Sequence, residues 1–554
     1  MGRHQRSLFA IVFVIVLVAA AAGAGCGDSG GGGTGTATNP SPSGSPQYGG
    51  MLSVAFQTEP SSLDPAIAWE LTGTTIEQSI FNTLLAYEPK PGMDGTKLMP
   101  SLATEVPQPT NNGTTYTFHL RQGVMFHPPV SREMTADDVK YSFERMMKLP
   151  LAPATYFYVG VEGAAAYQAG KAKEITGVKV IDKYTIEFDL SEPDPAFLSA
   201  YTMWFGYVVA KEWVQKWGNR QVARHPLGTG PFIFDHWTPG REVVLKKNPD
   251  YWDKGKPYLD EIKFVFSLTP STALLRLQRG EIDVLGDNIP PASVPKMLSD
   301  PQWKQQVQSQ KLIAGVYLYM NTQFKPFDNV KVRQALSWAI NREKLCKLQS
   351  GQATPLWQFY PEGMPGSVPG KVFYGYDPAK AKQLLAEAGF PNGFSTTLYS
   401  HNVDPFPKII QSIQNDLTQI NVKASVKTLD RDTFYTLSST PNKTPTGTQE
   451  WYMDFPDPSD YVIPLASKSN AVEGGIDTAF WWDPQIEKMI LDARSLTGQP
   501  RYDAYTEMAQ IIMDNAPYVT LYQPIMTTMC SKNTGGFYLS YIYWFDTANY
   551  WRIQ

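Results

Sequence analysis

The chain has 554 residues, with 48 Lys and Arg against 52 Asp and Glu, a net charge of −4 and three cysteines. No basic stripe breaks this near-balance, which excludes nucleic acid as the natural partner. There is no CxxC and no His/Cys spacing of the kind that holds zinc. From the N-terminus, Arg3, His4 and Arg6 precede an uncharged apolar run from Leu8 to Ala22. That run is too short and wrongly flanked for a spanning helix, and it fits the n- and h-regions of an export signal.

Gly23-Ala24-Gly25-Cys26 resembles the lipobox of bacterial lipoproteins, which implies Cys26 as the lipid-bearing first mature residue. Gly23 stands where that motif usually has an aliphatic residue, so cleavage by ordinary signal peptidase and an uncleaved anchor stay open. From Gly27 to Gln47 the chain is almost entirely Gly, Ser, Thr, Pro and Asn, with one charge, Asp28. It cannot bury a core and reads as a flexible tether.

The body, Tyr48 to Gln554, is long enough for about three domains on length alone. No second low-complexity linker divides it, so its domains are expected to interweave. In Thr115 to Arg121, Tyr116, Phe118 and Leu120 share one face and His119 and Arg121 the other, which is a half-buried strand. Tyr184 to Leu190 and Glu261 to Phe266 repeat the pattern. Thr135 with Asp138 predicts a capping box opening a helix through Met146. Val332, Ala335, Leu336, Ala339 and Ile340 follow helical spacing. Asp377-Pro378 opens a helix expected to bury Ala381, Leu384, Leu385 and Ala388 and to end at Gly389. Tyr502 to Asn515 is another, stopped by Pro517. Strands mixed with helices over this length predict an α/β fold.

Several motifs read as scaffold. Gly228-Thr-Gly-Pro231 lacks the Gly-Lys-Ser/Thr ending of a phosphate loop and is a tight turn. Asn248 to Trp252 is a corner with Trp252 in the core. Arg333 and Arg342 fall on the polar side of a helix, at the surface or in pairs within a lobe. Whether Cys346 and Cys530 pair is open, since spacing says nothing of proximity.

Nine segments in order then carry a resemblance: Pro100 to Ala103; Thr115 to His127; Thr135 to Arg145; Leu227-Gly-Thr-Gly-Pro-Phe232; Lys247-Asn-Pro-Asp-Tyr-Trp252; Lys256 to Ile262; Gly280-Glu-Ile-Asp283; Pro326 to Leu336 with Ala339-Ile-Asn-Arg342; and Asp377 to Phe390. Together they resemble solute-binding protein family 5, the peptide, opine and nickel-binding proteins of ABC importers. The likeness runs from Gly49 onward. Pro128-Pro129-Val130 replaces the family's Asp-Gly turn, and Asn341 stands for its usual Asp.

The resemblance implies a two-lobed periplasmic-binding-protein type II fold with a hinge between the lobes and an extra subdomain in the first. Residues 1–26 would be signal and anchor and 27–47 tether. Residues 48–82, 210–316 and 517–554 would form lobe I, 83–209 its extra subdomain, and 317–516 lobe II, with crossovers near Tyr317 to Asn321 and Pro517 to Tyr522. A ligand touching both lobes favours their closure. Trp451-Tyr-Met-Asp-Phe-Pro-Asp-Pro458 resembles the family's Trp-x-x-Asp stretch, which makes Asp454 the carboxylate for a peptide's free amine and Trp451 an aromatic wall. Asp454 as a mere cap of the turn is the rival reading, and Asp457, between prolines, reads as the turn residue. Tyr522 falls at a groove position of the family. Trp69, Glu70, Trp481 and Trp482 add aromatic and acidic candidates. For clamping a ligand carboxylate, the stretch upstream of Trp451 offers only Arg431 and Lys443.

The implied partners are a small solute, foremost a peptide, and a membrane permease with its ATPase subunits. A monomer held by its lipid at the outer face of the cytoplasmic membrane is expected, with no cofactor and no metal. Oligosaccharide is the alternative ligand, favoured by the Trp and Tyr content. A nickel chelate ranks lower, because only His401 of the six histidines lies in variable second-lobe sequence. An enzyme is not expected: HExxH, GxSxG and Walker motifs are missing, and Ser293-Val-Pro-Lys296 lacks the companions of the SxxK enzymes. A surface scaffold is the remaining class.

Overall fold

A computed structural model describes residues 45–554 apart from 151, 154, 543 and 554. The export signal, Cys26 and most of the tether lie outside the described residues.

Three sheets organise the body. The first joins Val284–Leu285, Met51–Ala55, Glu261–Val265, Glu242–Lys247 and Phe232–Thr238, in that order. Met51–Ala55 runs parallel to both of its neighbours, and the remaining pairs are antiparallel. Ile262 and Phe264 point into a core with Leu52, Val54 and Leu245, as their alternation requires. The second sheet is antiparallel, with Thr185–Asp189 between Thr115–His119 and Val178–Asp182. Its first strand stops two residues short of the predicted end, where Leu120 leaves the ladder to bridge Ala103. The helix Ala136–Lys148 packs against this sheet, and Asp138 accepts the Thr135 amide at 2.9 Å, so the capping box is present.

The third sheet has the order Val307–Lys311, Tyr518–Met529, Ala314–Met320, Thr446–Tyr452, Ser395–His401, Lys423–Leu429. Ser395–His401 and Lys423–Leu429 are parallel and joined by the helix Phe406–Thr418. Thr446–Tyr452 also runs parallel to Ser395–His401. The carboxyl ends of the three strands therefore lie on one edge, where open α/β sheets place their ligands. The twelve-residue strand Tyr518–Met529 pairs with Ala314–Met320 through its first half and with Val307–Lys311 through its second. It then ties to the first sheet through the bridge between Val284 and Cys530. Residues 518–522 thus pair with Ala314–Met320, and residues 525–529 with Val307–Lys311.

The helices follow their sequence signals, with local corrections. The last long helix spans Gly498–Asn515, starting one turn earlier than predicted because Pro500 is accepted in a first turn. In Pro378–Glu387, Ala381 and Leu385 are buried, whereas Leu384 and Ala388 are only half-buried at the rim of the same core. Gly389 ends it with φ 89°. Arg333 and Arg342 are not on a polar face: they are 4% and 1% exposed. Among the described residues they have no carboxylate partners, and they instead donate to carbonyls left free by turns and helix ends. Arg333 Nε bonds to Asn515 O at 2.8 Å, and Arg342 Nη1 to Ser337 O at 3.1 Å. Burial lowers their pKa values to about 10 and about 9. Trp252 is half-buried rather than core, its indole bonded to Asn82 and Arg121 lying over its ring. Cys346 and Cys530 are both buried, free thiols in different apolar clusters.

The Gly228-Thr-Gly-Pro231 motif serves close packing. A Cβ on Gly230 would lie 2.4 Å from the Ile80 carbonyl carbon and 2.6 Å from its oxygen. His127 Nε2 and Asn248 Nδ2 each reach the Gly230 carbonyl at 2.9 Å. Since the obstacle is backbone, Gly230→Ala is expected to destabilise the fold by about 1–3 kcal/mol or more. A urea midpoint equal to that of the unsubstituted protein would contradict this.

Candidate ligand-binding site

At the carboxyl-end edge of the third sheet, the chain leaves Thr446–Tyr452 through Met453 to Pro458 and enters the helix Ser459–Ala466. Two carboxylates converge here. Asp454 is 5% exposed and Asp460 fully buried. Asp460 Oδ2 accepts the Asp454 amide at 3.0 Å, which folds the turn and sets the two side chains together. Asp454 Oδ1 accepts the Trp69 indole N–H at 3.4 Å, a long bond. Asp454 Oδ2 and Asp460 Oδ1 have no hydrogen-bond partner. Burial pushes both pKa values up, and for Asp460 the Asp454 charge adds to it.

Aromatic rings from distant parts of the chain close around the pair. Trp69 stands edge-on to Trp451 and Phe205, with ring centres 6.4 and 5.8 Å away. Phe157 packs on Phe455 at 5.2 Å. The Tyr156 hydroxyl is buried without a partner, and the Asp454 and Asp460 charges add to the burial that raises its pKa. Trp451 is 7% exposed, and its indole N–H approaches Asp460 without reaching hydrogen-bond geometry. Two buried carboxylates with free oxygens and no ion-pair partner among the described residues are costly as bare anions. A proton or a cationic ligand group relieves that cost.

Asp457 is a turn residue and more. It accepts the Ser459 amide at 2.9 Å and takes a bidentate bond from Arg501, Nε at 2.8 Å and Nη2 at 2.9 Å. Asp194, from the region of the second sheet, feels the Arg501 charge, and nearby Glu192 pairs with Arg494.

The structure thus brings Trp69, Trp451 and Asp454 together and leaves the other candidates apart. Glu70 lies beside Trp69, but its carboxylate is engaged by the Ser61 amide at 2.7 Å and the Ser61 hydroxyl at 2.9 Å, so it latches its own loop. Trp481 is 8% exposed within the cluster that holds Trp451, its amide bonded to Asp477. Trp482 is an exposed ring under Lys468. Tyr522 is 2% exposed in the opposite core of the sheet, with Val316 and Cys346, because a shift in register after Val316 turns it to that side. Asp460 and Tyr156 were not anticipated. Asp460 could have been flagged as the third acid of Asp454-Phe-Pro-Asp-Pro-Ser-Asp460, whereas Tyr156 reaches the site only through the fold.

A second polar group gathers around Glu450, which lies cross-strand from Val316, as Tyr522 does. Glu450 accepts the Tyr435 hydroxyl at 2.9 Å and the Tyr452 hydroxyl at 3.4 Å, and Arg431 Nη2 stands 3.8 Å away. Tyr452 is 37% exposed as a residue, and burial of its hydroxyl, with the Glu450 charge adding, raises its pKa well above the ordinary value. His401 is buried nearby, its pKa lowered to about 4 by burial and then by Arg431, so the ring is neutral. Lys443 is exposed. No group of acidic, His or Cys side chains among the described residues could hold a metal.

This architecture is that of a two-lobed type II periplasmic binding protein. The chain belongs to the bacterial extracellular solute-binding proteins of family 5: the model "Bacterial extracellular solute-binding proteins, family 5 Middle" matches residues 97–473. Di/tripeptide-binding protein 1 of Pseudomonas aeruginosa strain UCBPP-PA14 is 30% identical over 519 residues, covering 87% of this chain and 92% of that one. Heme-binding protein A of Haemophilus influenzae is 31% identical over 506 residues, 86% of this chain and 88% of its own. The periplasmic binding protein DppA of Helicobacter pylori, solved with the peptide STSA, superposes with a TM-score of 0.80 at 28% identity, over 92% of this chain and 99% of that one. The family's members are binding proteins that work outside the cytoplasm. Among the described residues no helix is long and apolar enough to cross a membrane.

Proposed function

We propose that this protein captures short peptides between its two lobes and delivers them to the permease of an ABC importer. The observation that carries the reading is the buried, unpartnered Asp454 oxygen, ringed by Trp69 and Trp451, where a peptide's terminal ammonium would supply the missing charge. A di/tripeptide-binding relative and a peptide-bound structural neighbour support it. The first lobe comprises 48–82, 210–316 and 517–554, the subdomain 83–209 closes over the site, and 317–516 forms the second lobe. Residues 1–26 export the chain and anchor it through lipid on Cys26 to the outer face of the cytoplasmic membrane. The tether 27–47 lets the monomer reach its permease.

Native mass spectrometry of residues 48–554, purified undenatured from cells grown on peptide-rich medium, tests this. Co-purified masses that fragment as peptides are expected. A ligand-free mass, with stabilisation only by added oligosaccharides, would overturn the reading.

Affinity should also depend on pH. Burial raises the Asp454 pKa, and only the carboxylate form attracts an ammonium. Peptide affinity is therefore full above that raised pKa and falls as pH drops through it, by about tenfold per unit once the group is protonated. Titrations between about pH 5 and about pH 7, where a terminal amine stays charged, read this directly; a flat profile would exclude Asp454 as the contact.

A further inference from the structure

We infer that a charged seam between the subdomain 83–209 and the second lobe latches the protein shut, so that retention of its ligand depends on ionic strength. Glu192 and Arg494 form the latch, with Asp194 and Arg501 behind it. The inference rests on the two-lobed reading above, which puts the two acids on one side of the cleft and the two arginines on the other.

The pair joins residues 302 positions apart in the chain. On the subdomain side, Glu192-Pro-Asp-Pro195 is a short loop whose two prolines fix the backbone. It is pinned at both ends. The Ser191 amide donates to Gly160 O at 2.9 Å, and the Tyr116 hydroxyl donates to Asp194 O at 3.2 Å. Asp194 Oδ1 accepts the Ala196 amide at 3.0 Å. On the other side, Arg494 sits in the turn Ala493–Ser495, between the helices Pro484–Asp492 and Gly498–Asn515. Arg501 Nη1 donates to Ala493 O at 2.7 Å, which fastens the two arginines together. Arg494 Nη1 donates to Glu192 Oε2. Burial raises the Asp194 pKa, and the Arg501 and Arg494 charges act against that rise, so Asp194 faces the same two cations.

Deeper in, the contacts across the cleft are aromatic, with Phe157 on Phe455 and Trp69 against Trp451. The charge pair lies at the solvent edge, its Glu192 and Arg494 side chains 55% and 43% exposed. An exposed pair adds little to a fold. This one forms only when the two sides meet, so its whole contribution goes to the closed state. A ligand held between lobes leaves after they open, and what favours closure slows release and raises affinity by the same factor. Salt reaches an exposed pair: the screening length falls from about 10 Å at 0.1 M to about 3 Å at 1 M.

Stopped-flow release of trialanine from the full chain in mild detergent, followed by tryptophan fluorescence, tests this with Glu192→Arg, Arg494→Glu and the double variant. At about 0.05 M salt each single reversal is expected to speed release about three- to tenfold, through the lost attraction and the added repulsion. The double variant restores opposite charges and is expected to release more slowly than either single. The differences shrink at about 1 M salt. Single reversals that speed release less than about threefold, a double variant as fast as the singles, or differences undiminished at high salt overturn the latch and leave peptide capture standing. If trialanine does not bind the unsubstituted protein, the peptide reading fails and hydrogen exchange of the free protein decides the latch. Faster exchange at residues 155–160 in Arg494→Glu, slowed again in the double variant, supports it, because the substitution lies across the cleft from those amides. Any other exchange result there overturns it.

Discussion

Arg501→Met will lower the stability of this protein by about 3–5 kcal/mol. Arg501 is 3% exposed and gives Asp457 a two-point bond, while its Nη1 donates to Ala493 O at 2.7 Å. Methionine restores most of the packing but none of the charge. Asp457, 8% exposed between two prolines, then remains a buried anion that also has to hold the Ser459 amide. Removing one partner of a buried pair costs far more than the pair contributes net, because the survivor keeps its desolvation penalty. The double variant Arg501→Met, Asp457→Asn removes both charges and is expected to recover part of the loss. Urea denaturation followed by tryptophan fluorescence reads both changes. A single variant within about 1 kcal/mol of the parent would mean that Asp457 finds water or another cation once Arg501 is gone.

The second large effect is on binding. Asp454→Asn keeps the shape of the side chain and can still accept from Trp69, but it presents no charge to an ammonium. Truncating one partner of a buried charge pair typically costs about 2–5 kcal/mol, which is roughly a 30- to 5,000-fold rise in Kd. Stability should move the other way. The unliganded carboxylate is buried beside Asp460 with an oxygen unpartnered, so a neutral amide relieves strain and the midpoint stays level or rises. Weaker binding with unchanged or greater stability is the signature of a binding group that the fold accommodates at a cost. Weaker binding with lower stability would instead mark Asp454 as a cap of its turn, the rival reading of the residue.

Much of the fold was legible because its signals are local. The alternation of Tyr116, Phe118 and Leu120, the Thr135–Asp138 box and the Asp377-Pro378 helix start each operate within a few residues, so side-chain period and capping chemistry suffice to read them. Trp451 and Asp454 came from a short motif for the same reason. Asp457 was read correctly as a turn, but its partner Arg501 lies 44 residues away and leaves no trace in the motif. Helical phase put Arg342 on a polar face, at the surface or in a pair within a lobe, yet it is 1% exposed, because carbonyls from Ser337 and Leu356 converge on it from outside its helix.

The sequence by itself determined the α/β class, the family and the acidic turn at 451–458, since each is encoded in contiguous residues or in the order of short motifs. Only the tertiary structure decided which side of the sheet Tyr522 faces, that Glu70 latches its own loop, and that Trp69 and Tyr156 meet Asp454 and Asp460 across some 300 to 400 residues of chain. Those pairings depend on strand order and register, which bring distant residues together through contacts that no local spacing records.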